Sequence, residues 1–329
     1  MTVHYNSITI FGPTASGKTT FSIEVAKELN RLGKKAEIIN FDSLLFYKEL
    51  NIGTAKPSIE EMSNIPHHLI NICSYKEPLN SSDFVELAIP VINKLISNNA
   101  TPIFVGGSGF YLRALLKGMY ESSEKEFNEK SEKKFKKIIS ENDNKNNEVL
   151  LKYLESHDTE SLTNIHKNDY YRLSRAVEYH LKNNKKLSSQ KKKLDLNYPY
   201  DFSKNIKHRL KPLNIYLEIP KEEHLKIIDN RTKTMISSGL IDEVINILNL
   251  DTETNFKPLR SIGYKETIDF IVNKLSSKVD LIERINISTR QLAKAQRTFF
   301  KKVTPKETIN PTIDLNKKVR DVLSLFKER

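Results

Sequence analysis

The chain has 329 residues, which at about 150 residues per domain makes two units. Its mean hydropathy of -0.50 and the lack of any apolar run near the roughly 18 residues of a spanning helix exclude a helical membrane protein. A single cysteine, Cys73, excludes an intramolecular disulfide and leaves no cysteine set for a zinc site. The net charge of +12 is uneven: residues 1–118 hold 11 basic and 10 acidic side chains, the remainder 42 and 31, as expected of a near-neutral catalytic part joined to a polyanion-binding part.

The few residues ahead of the first motif leave no room for a leader peptide, so a cytoplasmic location is expected. Ile8–Phe11 is a short apolar run stopped by Gly12-Pro13 and reads as a buried strand. Lys18–Asn30 puts Phe21, Val25, Ala26 and Leu29 on one side, which predicts a helix closed by Gly33. Ala36–Phe41 and Pro102–Val105 predict two further strands, and Ser81-Ser82-Asp83 the cap of a helix running through Phe84, Leu87, Val91 and Leu95. Strand, helix, strand, helix, strand implies an α/β fold with a P-loop NTPase-like parallel sheet.

Beyond Tyr120 the sequence becomes dense in Lys, Glu and Asn with helical spacing in patches, and Glu141–Glu148 reads as a polar loop. Leu213–Ile219 returns to a strand pattern. Lys221–Leu250 and Lys278–Lys302 predict two long helices, and Thr312–Leu315 a late edge strand. The expected organisation is a P-loop core over 1–120, a helical, basic insertion over 121–200, and a return to the core with basic C-terminal helices over 201–329.

Gly12-Pro13-Thr14-Ala15-Ser16-Gly17-Lys18-Thr19 fits G-x-x-x-x-G-K-[ST] between a strand and a helix. Its backbone N–H groups can turn toward an anion, Lys18 supplies a positive charge, Thr19 a hydroxyl for Mg2+, and the helix N-terminus its dipole. A di- or triphosphate is the expected ligand. The third strand, Ile103–Ser108, carries no carboxylate of the kind that helps hold magnesium in many P-loop NTPases. Asp42, after Ile38–Phe41, is the acid at a strand end, and carboxyl ends of parallel strands face the ligand crevice. It suits a general base on an acceptor group; an N-cap or Asx-turn role is the competing reading. Cys73 reads as a small buried hydrophobe, and His67-His68 as a surface or turn pair.

Between Arg284 and Lys302 lie six basic residues and no acid, and Arg290, Lys294, Arg297 and Lys301 fall on one helical face. Arg175, Lys182 and Lys186, with Tyr179 between, repeat the spacing. Such stripes suit phosphate contacts and base stacking, against the alternative of a solvated helix face.

Together these strings resemble the tRNA dimethylallyltransferase, or tRNA isopentenyltransferase, family: GPTASGKT at Gly12–Thr19, DSLLFYKELNIGTAKP at Asp42–Pro57, PHHL at Pro66–Leu69 and VGGSGFYLRALL at Val105–Leu116. RLSRAVE at Arg172–Glu178, RSIGYKE at Arg260–Glu266 and TRQLAKAQRTFFKK at Thr289–Lys302 continue it in the family's order. The resemblance implies Mg2+-dependent transfer of a dimethylallyl group from dimethylallyl diphosphate to N6 of adenosine 37, beside the anticodon, in tRNAs reading codons that begin with U. It puts the phosphate loop on Gly12 to Thr19, the general base on Asp42, and catalytic roles on Ser108 and Arg231. Contacts to the tRNA anticodon stem-loop fall on Asp42, Ser43, Leu44, Leu45, Ser108, Lys130, Tyr171, Arg172, Leu173, Ser174 and Arg175. Further contacts fall on Arg260, Ser261, Ile262, Gly263, Tyr264, Lys265, Lys294, Arg297 and Lys301, which makes the 121–200 insertion tRNA-binding.

The chain departs from the family in Ser108 for Thr, Lys130 for Arg and Ala295 for a basic residue. A monomer, nucleotide (ATP) binding at the P-loop and no membrane partner are expected. Tyr47, Phe110 and Tyr111 are candidate walls for an allylic cation. Three other readings compete: an adenylate isopentenyltransferase acting on free AMP or ATP, a small-molecule P-loop kinase, and a non-catalytic RNA-binding P-loop protein.

Overall fold

Short apolar runs rich in β-branched residues, separated by helices long enough to cross back, leave parallel pairing as the way to satisfy their backbone groups. In a computed structural model describing residues 5–118, 128–142, 146–194, 199–203, 210–250 and 256–328, these runs form one six-stranded sheet. The strands are β1 (Ser7–Phe11), β2 (Ala36–Asn40), β3 (His67–His68), β4 (Thr101–Gly106), β5 (Pro212–Leu217) and β6 (Glu307–Ile309). Their order is β3-β2-β4-β1-β5-β6 and every pairing is parallel. The sheet and its covering helices are the α/β architecture expected.

Side chains alternate across the sheet with the period of two that a strand imposes. Ile8, Ile10, Ile38, Ile103, Val105 and Ile215 face a core closed by the Lys18–Arg31 and Leu315–Glu328 helices. Phe11, Ile39, Phe104 and Tyr216 face a second core with Phe84, Leu112 and Phe300. At β3, His68 is held by Glu37 through its Nε2 at 2.7 Å, which gives it a structural partner.

Three local expectations need correction. The cap of the Ser81–Ser97 helix is Asn80, whose side chain accepts from the N–H groups of Ser82 and Asp83 while Asp83 accepts from Asn80 N–H. The Lys221–Leu250 pattern is two helices, Lys221–Ser237 and Leu240–Leu250, because Gly239 at φ +98° turns the chain between them. The edge strand is Glu307–Ile309. Thr312–Leu315 instead leads into the last helix, where Asp314 accepts from Lys317 N–H.

The chain divides into two units, Met1–Lys117 with Tyr200–Arg329, and Gly118–Pro199. In the second, the Glu129–Glu141, Glu148–His157 and Tyr170–Asn183 helices enclose Leu150, Leu154, Leu173 and Val177. The expected 120/121 boundary, the centre of the Glu141–Glu148 loop and the first four residues lie outside the described residues. Among the described residues no helix is long and apolar enough to cross a membrane.

Candidate active site

The P-loop leaves β1 at Phe11 and enters the Lys18–Arg31 helix, whose first turn has no side-chain cap and no acid. Its N–H groups are therefore available to an anion. Ser16 Oγ is buried there without a hydrogen-bond partner. Lys18 Nζ donates to Pro13 O at 2.8 Å. Burial pushes Lys18 down to about 8, opposed by the charge of Asp42 and reinforced by Arg231. Gly12, Pro13, Ala15 and Ser16 are buried, whereas Thr14, Lys18 and Thr19 are half-buried and Gly17 exposed.

Asp42 follows β2 and is fixed from below by Asn40. The Asn40 side chain accepts from Asp42 N–H at 2.8 Å and donates to the carbonyls of Asp42 and Leu69 at 3.0 and 2.8 Å. Asp42 also begins the short 3-10 helix Ser43–Phe46, with Oδ1 accepting from Leu44 N–H at 3.4 Å. The N-cap reading of Asp42 is borne out, and the capping carboxylate also lines a cavity.

That cavity has a volume of about 600 Å³. Thr14 marks its P-loop side; Asp42, Ser43 and Leu44 line another, with Gly107 and Ser108 between them. Ser108 Oγ accepts from Ser43 N–H at 3.3 Å. Arg231 points in from the Lys221–Ser237 helix and donates to Thr54 O at 3.3 Å. Burial works against the Arg231 charge and Asp42 supports it. Apolar walls come from Tyr47, Leu79, Tyr111, Met235 and Leu292, while Phe110 is exposed and outside the lining. Lys257, Arg260, Ser261, Ile262 and Gln296 also belong to the lining.

The remaining expected residues fall elsewhere. Leu45, Gly263, Lys265, Lys294, Arg297 and Lys301 belong to the same unit but not to the cavity lining. Tyr264 is fully buried; its hydroxyl donates to Glu243 Oε1 at 2.6 Å, so the side chain braces a loop and presents no surface to a partner. Lys130 and Tyr171–Arg175 lie in the second unit, where Lys130, Tyr171, Arg172 and Arg175 are exposed, Ser174 is half-buried, and Leu173 is fully buried in the helical core. Arg172 pairs with Asp169, and Arg175 and Lys182 share Glu178. The acid-free stripe of the Lys278–Phe300 helix is also not uniform: Lys294 and Lys301 are exposed, but the Arg297 guanidinium turns in to His224.

Several residues of the site escape a reading by sequence. Glu243 Oε2 accepts from Asn51 and Ile52 N–H and Oε1 from Gly53 N–H, at 2.8 to 3.2 Å, and so shapes the Gly53–Thr54 wall. His224, almost wholly buried, and Gln296 both reach Thr14. The one available signal was a polar group on an otherwise apolar helix face, Gln296 between Leu292 and Phe300.

Among the described residues no cluster of three or more His, Cys, Asp or Glu side chains forms a cage for a metal ion. The oxygen donors suited to Mg2+ are the Thr19 hydroxyl and the phosphates of a bound ligand, the hard oxygen set this ion takes without a protein cage. The unpartnered Ser16 hydroxyl and the uncapped helix N-terminus give the same loop donors that could hold an anionic group.

The IPP transferase family profile matches residues 45–303. A tRNA dimethylallyltransferase of Staphylococcus epidermidis is 36% identical over 294 residues, covering 89% of this chain and 83% of the relative. The crystal structure of a tRNA delta(2)-isopentenylpyrophosphate transferase from Staphylococcus epidermidis aligns with a TM-score of 0.66 and 34% identity, covering 98% of this chain and 99% of the other. A eukaryotic dimethylallyltransferase acting on tRNA aligns with a TM-score of 0.79 and 26% identity over 97% and 80% of the two chains.

Proposed function

The chain belongs to the IPP transferase family, and from that premise we propose that it is a tRNA prenyltransferase that moves a dimethylallyl group from dimethylallyl diphosphate to N6 of adenosine 37, beside the anticodon, in tRNAs reading codons that begin with U. The observation that carries this reading is the convergence of Asp42, Ser108 and Arg231 with the P-loop residue Thr14 on one cavity with apolar walls.

The bond between the allylic C1 and the bridging oxygen breaks, and diphosphate leaves with the electron pair. A C1–N6 bond forms, and the amine gives its proton to Asp42. Charge building on the leaving oxygens meets Lys18, the loop N–H groups and Arg231, all of them preset before reaction. The Thr19 hydroxyl would help hold Mg2+, which would supply further charge neutralisation on the diphosphate. Ser108 orients the acceptor amine beside Asp42, and Tyr47 and Tyr111 face the prenyl chain and keep water from it. The base has to be splayed out of the anticodon loop to reach Asp42. Exposed cations of both units, Lys130, Arg172, Arg175, Arg260, Lys265, Lys294 and Lys301, contact tRNA phosphates as a monomeric enzyme in the cytoplasm.

The test is transfer of labelled dimethylallyl diphosphate to unmodified bulk tRNA, with AMP and ATP as rival acceptors in parallel. Label in tRNA alone is the expected result. Label in AMP or ATP would move the enzyme to free nucleotides and leave the basic surface without a role.

A further inference from the structure

One side chain ties the two halves of the cavity together. The Gln296 carboxamide accepts from Thr14 N–H through Oε1 at 2.7 Å and donates from Nε2 to Gly107 O at 3.0 Å. Thr14 belongs to the P-loop, while Gly107 precedes Ser108 and stands beside Asp42. A Cβ on Gly107 would lie 2.6 Å from Gln296 Nε2 and 3.4 Å from Asp42 Oδ2, so the absence of a side chain there is what admits the carboxamide.

The other polar backbone group of Thr14 is held from the same helix at second hand. Thr14 O receives His224 Nε2 at 2.8 Å, and His224 Nδ1 faces the Arg297 guanidinium. A guanidinium only donates, so Nδ1 accepts and Nε2 carries the proton given to Thr14. Burial and the Arg297 charge keep this imidazole neutral by lowering its pKa, against the opposing effect of its bond to Thr14. Consecutive residues of the Lys278–Phe300 helix therefore fix both the N–H and the C=O of one P-loop residue.

Resting on the reading above, in which the P-loop holds the diphosphate and Asp42 with Ser108 receives the amine, we propose that Gln296 is a positioning residue that sets the separation between leaving-group site and nucleophile site. A displacement at C1 requires amine, carbon and bridging oxygen in line, and a misplacement of about 1 Å costs roughly 100-fold in rate. The carboxamide suits the task because it offers one donor and one acceptor in a fixed plane. Rotated by 180° it would set donor against donor at Thr14 and acceptor against acceptor at Gly107. Gln296 thus acts through the backbone groups it spaces and needs no contact with the reacting atoms.

The test compares wild type, Gln296→Met, which keeps length and removes both hydrogen bonds, and Gln296→Glu, which keeps the acceptor for Thr14 but sets an oxygen against Gly107 O. Each is assayed for single-turnover transfer to tRNA and titrated with inorganic pyrophosphate and with unmodified tRNA. In Gln296→Met we expect one pyrophosphate per chain, both affinities within about 3-fold of wild type, and a single-turnover rate about 100-fold lower. In Gln296→Glu the rate falls as well, and pyrophosphate binds more weakly because a carboxylate now borders the P-loop. A wild-type rate in Gln296→Met overturns the inference. So does a rate that falls only in step with the fraction of chains able to bind pyrophosphate, since Gln296 would then merely support the fold. A wild-type chain that transfers no prenyl group contradicts the underlying reading itself.

Discussion

At the residue scale, Lys18 carries the clearest consequence of burial. Its ammonium, assigned to the diphosphate in the proposed reaction, donates to Pro13 O, and burial has brought it down to about 8. In the free enzyme kcat/KM for the donor should fall as pH rises through about 8, where Lys18 loses its proton, and Lys18→Ala should remove that limb of the profile along with most activity. Stability runs the other way. Because the folded pKa lies below the unfolded one, the unfolded chain binds more protons between about pH 8 and the ordinary lysine value of 10.5, and unfolding free energy from this group rises across that window. Lys18→Met should accordingly raise the melting temperature at pH 7, by about 2 °C, while abolishing transfer; an unchanged or lower value contradicts a desolvated ammonium. The motif around Lys18 was legible because eight consecutive residues supply it. Gln296 was not, because its bond to Thr14 joins positions 282 apart and only folding creates it.

At the element scale, strands and helices followed from patterns that the chain carries locally, and one error fell where a pattern ran on through a break. Apolar spacing continues smoothly from Lys221 to Leu250, so the turn at Gly239 depends on one residue at φ +98°. Gly239→Ala should cost about 1–2 kcal/mol in a denaturant titration, and a neutral effect would mean that the backbone relaxes there. Asn80 makes a comparable case. Its capping box with Asp83 orients the helix that packs on Phe46 and Tyr111, and Asn80→Ala should cost about 1 kcal/mol. The edge strand Glu307–Ile309 was invisible because three residues with one buried side chain carry no alternation.

On the scale of the whole molecule, charge separates what the two units offer. The cavity belongs to the first unit, and exposed cations lie in both. These cations are not equivalent. Arg172 and Arg175 already face Asp169 and Glu178 on their own helix, whereas Lys294 and Lys301 lie on an acid-free stretch. The salt dependence of tRNA affinity should therefore flatten by about 0.7–0.9 in its log–log slope for Lys294→Ala or Lys301→Ala, and by less for Arg175→Ala; equal slopes for all three would remove the distinction. The uneven charge was legible in the sequence as counts, but which cations are already paired depends on helical register and had to be seen.

The proton transfer proposed for Asp42 takes place in a cavity shared with the P-loop, on an acceptor that other surfaces of the molecule bind. Its most direct test measures single-turnover prenyl transfer and tRNA affinity side by side in wild type and Asp42→Ala. The expected result is a rate at least 100-fold lower with tRNA affinity within about 3-fold of wild type. Transfer at the wild-type rate, or tRNA affinity lost in step with it, would contradict the assignment of Asp42 as the base.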